Sequence, residues 1–162
     1  MTRFGDLYET YARDVYRFAL YLSGDAALAD DITSETFIRV WSSPEPVRLA
    51  TVKAYLLTIA RNLWLMERRR SSRWQGLDET MADSSQSVSR QTEVKDDLDR
   101  VLRALRDIPE VDRAALLMRV DEGLSYEEVA AALGLPLATV KVKVHRARLK
   151  LAQIRNQGVS AK

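Results

Sequence analysis

The sequence predicts an all-α protein of two small helical domains joined by a flexible linker, the second domain containing a helix-turn-helix. Three observations lead there. Apolar residues recur at spacings of three and four through most of the chain, the mark of amphipathic helices. No strand-like alternation is sustained, and no repeat of fixed period is present. Residues 71–92 turn abruptly to Ser, Gln, Asp and Gly with few apolar side chains, and so divide the chain.

Taken in order, Phe4, Leu7, Tyr8, Tyr11, Val15, Phe18, Ala19 and Leu22 form the apolar stripe of a first helix, which Gly24 ends. A second helix fits Asp25 to Trp41, with Leu28, Ile32, Phe37, Ile38 and Trp41 apolar. Its N-terminal half carries Asp30, Asp31 and Glu35, where carboxylates favour the macrodipole. Ser42-Ser43-Pro44-Glu45-Pro46 breaks the pattern. A third helix from about Val52 to Arg70 buries Leu56, Ile59, Ala60 and Leu63. Residues 1–70 are therefore the first domain and 71–92 the linker. Beyond it, Leu98, Val101, Leu102 and Leu105 mark a helix closed by Ile108-Pro109, and Val111 to Val120 marks another. Two shorter helices follow, completing a second domain over 93–155, with a tail at 156–162.

Composition excludes several classes of function. With no Cys and one His among 162 residues, disulfides and Cys-based metal sites are ruled out, and a His-centred catalytic triad has almost nothing to draw on. No catalytic residue, metal or cofactor is expected. No apolar run is long enough to span a bilayer, and Met1 to Asp6 lack the basic-then-apolar pattern of a secretory signal. The expectation is a cytoplasmic protein without membrane insertion. The net charge of +2 hides an asymmetry: from Pro136 onward there are seven basic residues and no acidic one, which suits a polyanion.

The stretch Ser125-Tyr126-Glu127-Glu128-Val129-Ala130-Ala131-Ala132-Leu133-Gly134-Leu135-Pro136 reads as the first half of a helix-turn-helix. Ser125 and Glu128 have capping-box spacing, Gly134 suits the left-handed conformation that ends a helix, and Pro136 opens the next. Ala130 is small where the helices cross, above Val129, Leu133, Leu135, Val140 and Val144. At 100° per residue, Val140, Val144, Ala147 and Leu151 gather on one face of the last helix. Ala138, Val142, His145, Arg146 and Leu149 face away. A helix of this width fits the major groove, with Arg146 placed for a guanine edge and Val142 for a thymine methyl. Lys141, Lys143, Arg148 and Lys150 flank that face, where long cations meet phosphates. His145 in isolation is an ordinary surface residue, and its value comes from its face.

Leu105 to Pro109, Arg113 to Leu117, Gly123 to Ala130, and Thr139-Val140-Lys141-Val142-Lys143-Val144-His145-Arg146-Ala147-Arg148 together resemble region four of bacterial sigma factors. Asp30 to Trp41 and Ala54 to Leu63 resemble region two of the same factors. With nothing that resembles a further region of the family between them, the chain is similar to the two-domain extracytoplasmic-function group of the sigma-70 family. The resemblance implies that the second helix docks on the clamp coiled coil of the largest subunit of core RNA polymerase, through Asp31, Glu35, Phe37, Arg39 and Trp41. Phe37 and Trp41, four residues apart, fit a core role equally well. It implies that Lys53, Arg61, Asn62, Arg68 and Arg69 contact the minus-ten element of promoter DNA. Tyr55 and Trp64 are possible faces for extruded bases, with burial in the core as the alternative. It further implies that region four reads the minus-thirty-five element, through Thr139 together with Lys141, Val142, Lys143, His145, Arg146 and Arg148, and that an anti-sigma factor holds the protein inactive. Ser34 stands where the family commonly has Gln, and Val142 where it usually has a small polar residue. The loop from Ser42 to Thr51 corresponds to a variable specificity loop.

Two rival readings carry different expectations. An autonomous helix-turn-helix regulator explains the C-terminal half but not the motifs at 31–41 and 59–62, and it binds its operator tightly without polymerase. An enzyme is disfavoured because Asp30 and Asp31 are adjacent on a helix and point in different directions.

Overall fold

The computed structural model describes residues 4–43, 51–75 and 93–160. Within them the chain forms seven helices and no strand: α1 (Phe4–Ser23), α2 (Ala26–Ser42), α3 (Val52–Gln75), α4 (Glu93–Arg106), α5 (Glu110–Leu116), α6 (Tyr126–Leu133) and α7 (Leu137–Ser160). Positions 44–50 of the loop expected from Ser42 to Thr51, positions 76–92 of the expected linker, the first three residues and the last two lie outside the described residues. Among those described, no helix is long and apolar enough to cross a membrane.

The first three helices start and stop by local chemistry. Gly24, at φ 76°, takes the left-handed conformation that ends α1 and donates its N–H to the Leu20 carbonyl at 2.7 Å. Asp25 then caps α2, its carboxylate accepting from the Leu28 N–H at 3.1 Å. Thr51 does the same for α3, with Oγ1 accepting from Ala54. Phe18, Leu22, Phe37, Leu56, Leu57 and Ala60 interlock where the three helices meet. Thr33 and Thr36 are buried among them without cost, because each hydroxyl donates to the carbonyl four residues back, of Ala29 and Ile32. Against expectation, α3 does not stop at Arg70. Ser71 and Ser72 carry no backbone constraint that would end a helix, and it runs on to Gln75.

In the second half, Ile108-Pro109 turns the chain from α4 into α5 as expected, but α5 ends differently. Its last turn widens into a π-turn over Leu117–Asp121, where Glu122 N–H bonds the Leu117 carbonyl five residues back at 2.9 Å. Gly123, at φ 78°, lets Leu124 N–H return to the Met118 carbonyl and close it. The helix-turn-helix follows. Ser125 and Glu128 form both capping-box bonds, at 3.1 and 2.8 Å, and Gly134 sits at φ 67°. The last helix is not short: with no Gly or Pro from Leu137 to Gln157 it extends to Ser160, across the position where the tail was expected to begin. Changing Ser125 to alanine removes the side-chain acceptor of the box. We expect a loss of about 1 kcal/mol and a melting temperature a few degrees lower, read by circular dichroism.

The two halves share a core. α1 packs on α4, α5 and the π-turn, and α3 packs on α6. This contact is what decides the environment of the candidate functional side chains.

Candidate nucleic-acid interface

The candidate reading face of α7 is set by the face opposite it. Val140, Val144 and Ala147 are at most 1% exposed against α5 and α6, which fixes the helix's rotation. Ala138, Val142, His145, Arg146 and Leu149 then face solvent, as the helical wheel predicts. Two of the candidate cations are held from behind by Asp112 on α5, a buried carboxylate. It accepts from Lys143 Nζ at 3.3 Å and meets Arg146 Nε at 3.5 Å. The Arg146 side chain remains 60% exposed, so its rotation is limited while its end stays outside. Lys141 lies 5.7 Å over the ring of Tyr126, which Arg119 also covers at 4.6 Å. Thr139 is half-buried at the start of α7, and Arg148 is exposed on its flank.

The cations of the first half sit differently. Asn62, Arg68 and Arg69 are exposed along α3. Lys53 and Arg61 are not. Arg61 forms a bidentate pair with Glu110 of α5, Nε to Oε1 at 2.7 Å and Nη2 to Oε2 at 3.0 Å. Lys53 Nζ lies 3.2 Å from Glu122 and 3.6 Å from Asp14. Trp64 is buried beneath the guanidinium of Arg68 at 4.8 Å and that of Arg113 at 5.4 Å, so packing and not base stacking occupies it here. Tyr55 is half-buried.

On α2, Asp31, Glu35, Arg39 and Trp41 line the outer surface, with Glu35 and Arg39 paired at 3.4 Å. Trp41 is 72% exposed. Phe37 is 2% exposed, edge-on to Tyr8 with centroids 4.9 Å apart, and supports that surface from beneath. A groove between α2 and α3, lined by Leu28, Asp31, Ile32, Glu35, Leu63 and Glu67, runs alongside.

The sequence reading missed Asp112 behind α7 and the acidic and basic groups that join the halves: Arg17, Glu110, Arg113 and Glu122. Arg17 Nη2 meets Glu122 at 3.0 Å and Asp14 at 2.9 Å, while its Nε reaches Asp121 at 3.0 Å. Burial pushes the Glu122 carboxyl up to about 7; Asp121 adds to the push, and Arg17 and Lys53 resist it without prevailing. Burial also works against the charge on Arg17, but its bonds to Glu122 and Asp121 outweigh that and raise its pKa. The charged and titratable groups facing Glu122 are Asp14 and Arg17 on α1, Lys53 on α3 and Asp121 beside it. A carboxyl whose pKa is raised on folding contributes stability that is complete below its unfolded value of 4.5 and lost as pH rises through about 7. Resistance to urea is therefore expected to fall by about 1 kcal/mol between pH 6 and pH 8. In Glu122→Gln this dependence should vanish, and its persistence there would assign it to another group.

Comparison with known proteins fits this arrangement. The family model described as Sigma-70 region 2 matches residues 7–74, and that described as Sigma-70, region 4 matches residues 98–151. The chain is 35% identical over 146 residues to the ECF RNA polymerase sigma factor SigL of Mycobacterium tuberculosis, covering 87% of this chain and 82% of that one. It is 37% identical over 159 residues to SigE of Mycolicibacterium smegmatis, covering 93% of this chain but spanning only 61% of that relative's length. Among solved structures, the sigma factor RpoE from Bartonella quintana, in complex with the anti-sigma factor NepR, superposes with a TM-score of 0.78 at 26% identity. That match covers 94% of this chain and 96% of the other. CnrH, in complex with the cytosolic domain of CnrY, shares the fold with a TM-score of 0.69 at 23% identity over 95% of this chain and 88% of that one.

Proposed function

Because the chain belongs to the extracytoplasmic-function group of the sigma-70 family, we propose that it binds core RNA polymerase and directs initiation at specific promoters. One observation carries this reading: both family segments occur in one chain and in order, region 2 at 7–74 and region 4 at 98–151. In this reading residues 1–70 dock on the polymerase clamp through the exposed face of α2 and open the minus-ten element along α3. Residues 93–155 hold the minus-thirty-five element as duplex through the outer face of α7. The segment between them bridges the two inside the polymerase. Catalysis stays with the polymerase, and the protein works in the cytoplasm where that enzyme is. RpoE of Bartonella quintana is bound to an anti-sigma factor in its structure. A partner of that kind belongs to the proposal.

Two modest DNA contacts on one tether gain from effective concentration only when something fixes their separation. Free protein is therefore expected to bind promoters poorly and core polymerase to supply the geometry. A run-off transcription assay with core polymerase and a library of upstream regions tests this. Initiation should require the protein and occur at a subset of sequences; no core-dependent initiation would overturn the reading. An autonomous helix-turn-helix regulator is not favoured, since it leaves the region 2 match without a role.

A further inference from the structure

A buried carboxylate lies directly behind the helix that the proposed function assigns to duplex DNA. Asp112 sits in the first turn of α5, which packs on α7, and its side chain is 3% exposed. Its Oδ1 accepts from Lys143 Nζ at 3.3 Å, and its Oδ2 lies 3.5 Å from Arg146 Nε. Lys143 and Arg146 are three residues apart and so share a side of α7. One carboxylate thus gives one oxygen to each of two neighbouring cations.

Such a group is unfavourable on two counts. Burying a charge is costly unless partners compensate it, and a negative charge behind a DNA-facing helix weakens the attraction of a polyanion. What it supplies is geometry. An arginine has much rotamer freedom to lose, and its guanidinium can fork side-on, through Nε and one Nη, or end-on, through both Nη groups. With Nε turned inward to Asp112 the side-on fork is taken, and the end-on fork is the one left to a partner outside, on a side chain still 60% exposed. Two parallel donors match the O6 and N7 acceptors of guanine; adenine sets an amino donor beside its N7 and does not match. Lys143 is held the other way. Its side chain is 22% exposed and its ammonium is engaged by Asp112 inside the protein.

We propose that Asp112 is a positioning residue for promoter recognition: it orients Arg146 to read a guanine end-on and keeps Lys143 off the DNA backbone, which favours base discrimination over non-specific affinity. The inference rests on the assignment of α7 to the minus-thirty-five element. Loss of the carboxylate then has two effects of opposite sign. Arg146 gains freedom to swing toward phosphates, so discrimination falls, while Lys143 is released to meet a phosphate, so sequence-independent binding rises.

The test uses the full-length protein with core polymerase on a promoter found by run-off transcription, each base pair of its minus-thirty-five element being varied in turn. In Asp112→Asn, preference for guanine at the position that Arg146 reads should fall about tenfold. The dependence of holoenzyme binding on log salt should steepen by about one unit, with substituted templates bound more tightly at low salt. Added to Arg146→Ala, Asp112→Asn should leave discrimination where Arg146→Ala alone puts it. Asp112→Leu, which packs there without charge, should give the same pattern and keeps the test alive if Asp112→Asn folds poorly. A merely structural Asp112 predicts instead an equal loss on every template and no steeper salt dependence. That result in a variant with its helical signal intact, or discrimination left unchanged, would overturn the proposal. So would a loss of discrimination that persists in full on the Arg146→Ala background. Core-dependent initiation by the unaltered protein stands in each of those cases, whereas failure of the functional reading shows as no initiation by any variant, the unaltered protein included.

Discussion

Replacing Arg113 with alanine is expected to lower stability by about 3 kcal/mol and the melting temperature by roughly 6–12 °C. Arg113 is 8% exposed. Its Nη1 donates to the Leu22 carbonyl, and its Nε and Nη2 donate to the Ile108 carbonyl at 3.3 and 3.1 Å. Leu22 lies in the last turn of α1, so the cation also faces the negative end of that helix's dipole. Burial, with Arg68 nearby, lowers its pKa from the ordinary arginine value, and the guanidinium still donates to both carbonyls. Truncation leaves two buried acceptors without it and a gap above Trp64. The indole should then meet water and its emission shift to the red. Arg113→Lys should recover less than half the loss, because an ammonium lacks the planar fork that bridges the two carbonyls. Full rescue by lysine would show that charge alone matters at this position.

Arg113 also shows where sequence stops informing. With Asp112 it stands directly before the apolar run Ala114 to Met118, and that is a legible hint that a charge is being buried. Its acceptor on α1 is 91 residues away, and nothing local names it. The same holds for Arg61 with Glu110, 49 residues apart, and for Arg17 with Glu122, 105 apart. Helix periodicity, capping boxes and terminal glycines are properties of short windows, which is why the helix-turn-helix and the outward face of α7 were readable residue by residue. The core itself was readable only by pattern. Phe37 and Trp41 share a helical stripe, yet one is 2% exposed and the other 72%, because α2 runs past the edge of the three-helix core before its stripe does. The π-turn after α5 escaped for another reason: its bonds need one extra residue per turn, and only Gly123 beyond it signals a change. That turn ends at the two carboxylates that meet Arg17, so the least legible backbone feature borders the least legible contact.

Arg146→Ala tests the part of the site that the sequence placed. The pair with Asp112 leaves the Arg146 side chain 60% exposed, so its loss should change stability by less than about 0.5 kcal/mol. Initiation at promoters that depend on the minus-thirty-five element should instead fall about 10- to 100-fold, the worth of one bidentate base contact of about 1–3 kcal/mol. The loss should be uneven. Templates with the preferred base pair at one position should lose most, and substituted templates should lose little, so that discrimination at that position flattens. Arg148→Ala supplies the contrast. On the flank of α7 it should weaken all promoters alike and reduce the dependence of binding on log salt by about one unit. Both substitutions remove one positive charge from the same helix, so net electrostatics cannot separate them. Only the angle at which each leaves the helix differs, and that angle is fixed by Val140, Val144 and Ala147 behind it. If Arg146→Ala proved as indifferent to sequence as Arg148→Ala, Arg146 would be a phosphate contact and the reading face would have to be moved around the helix toward Val142.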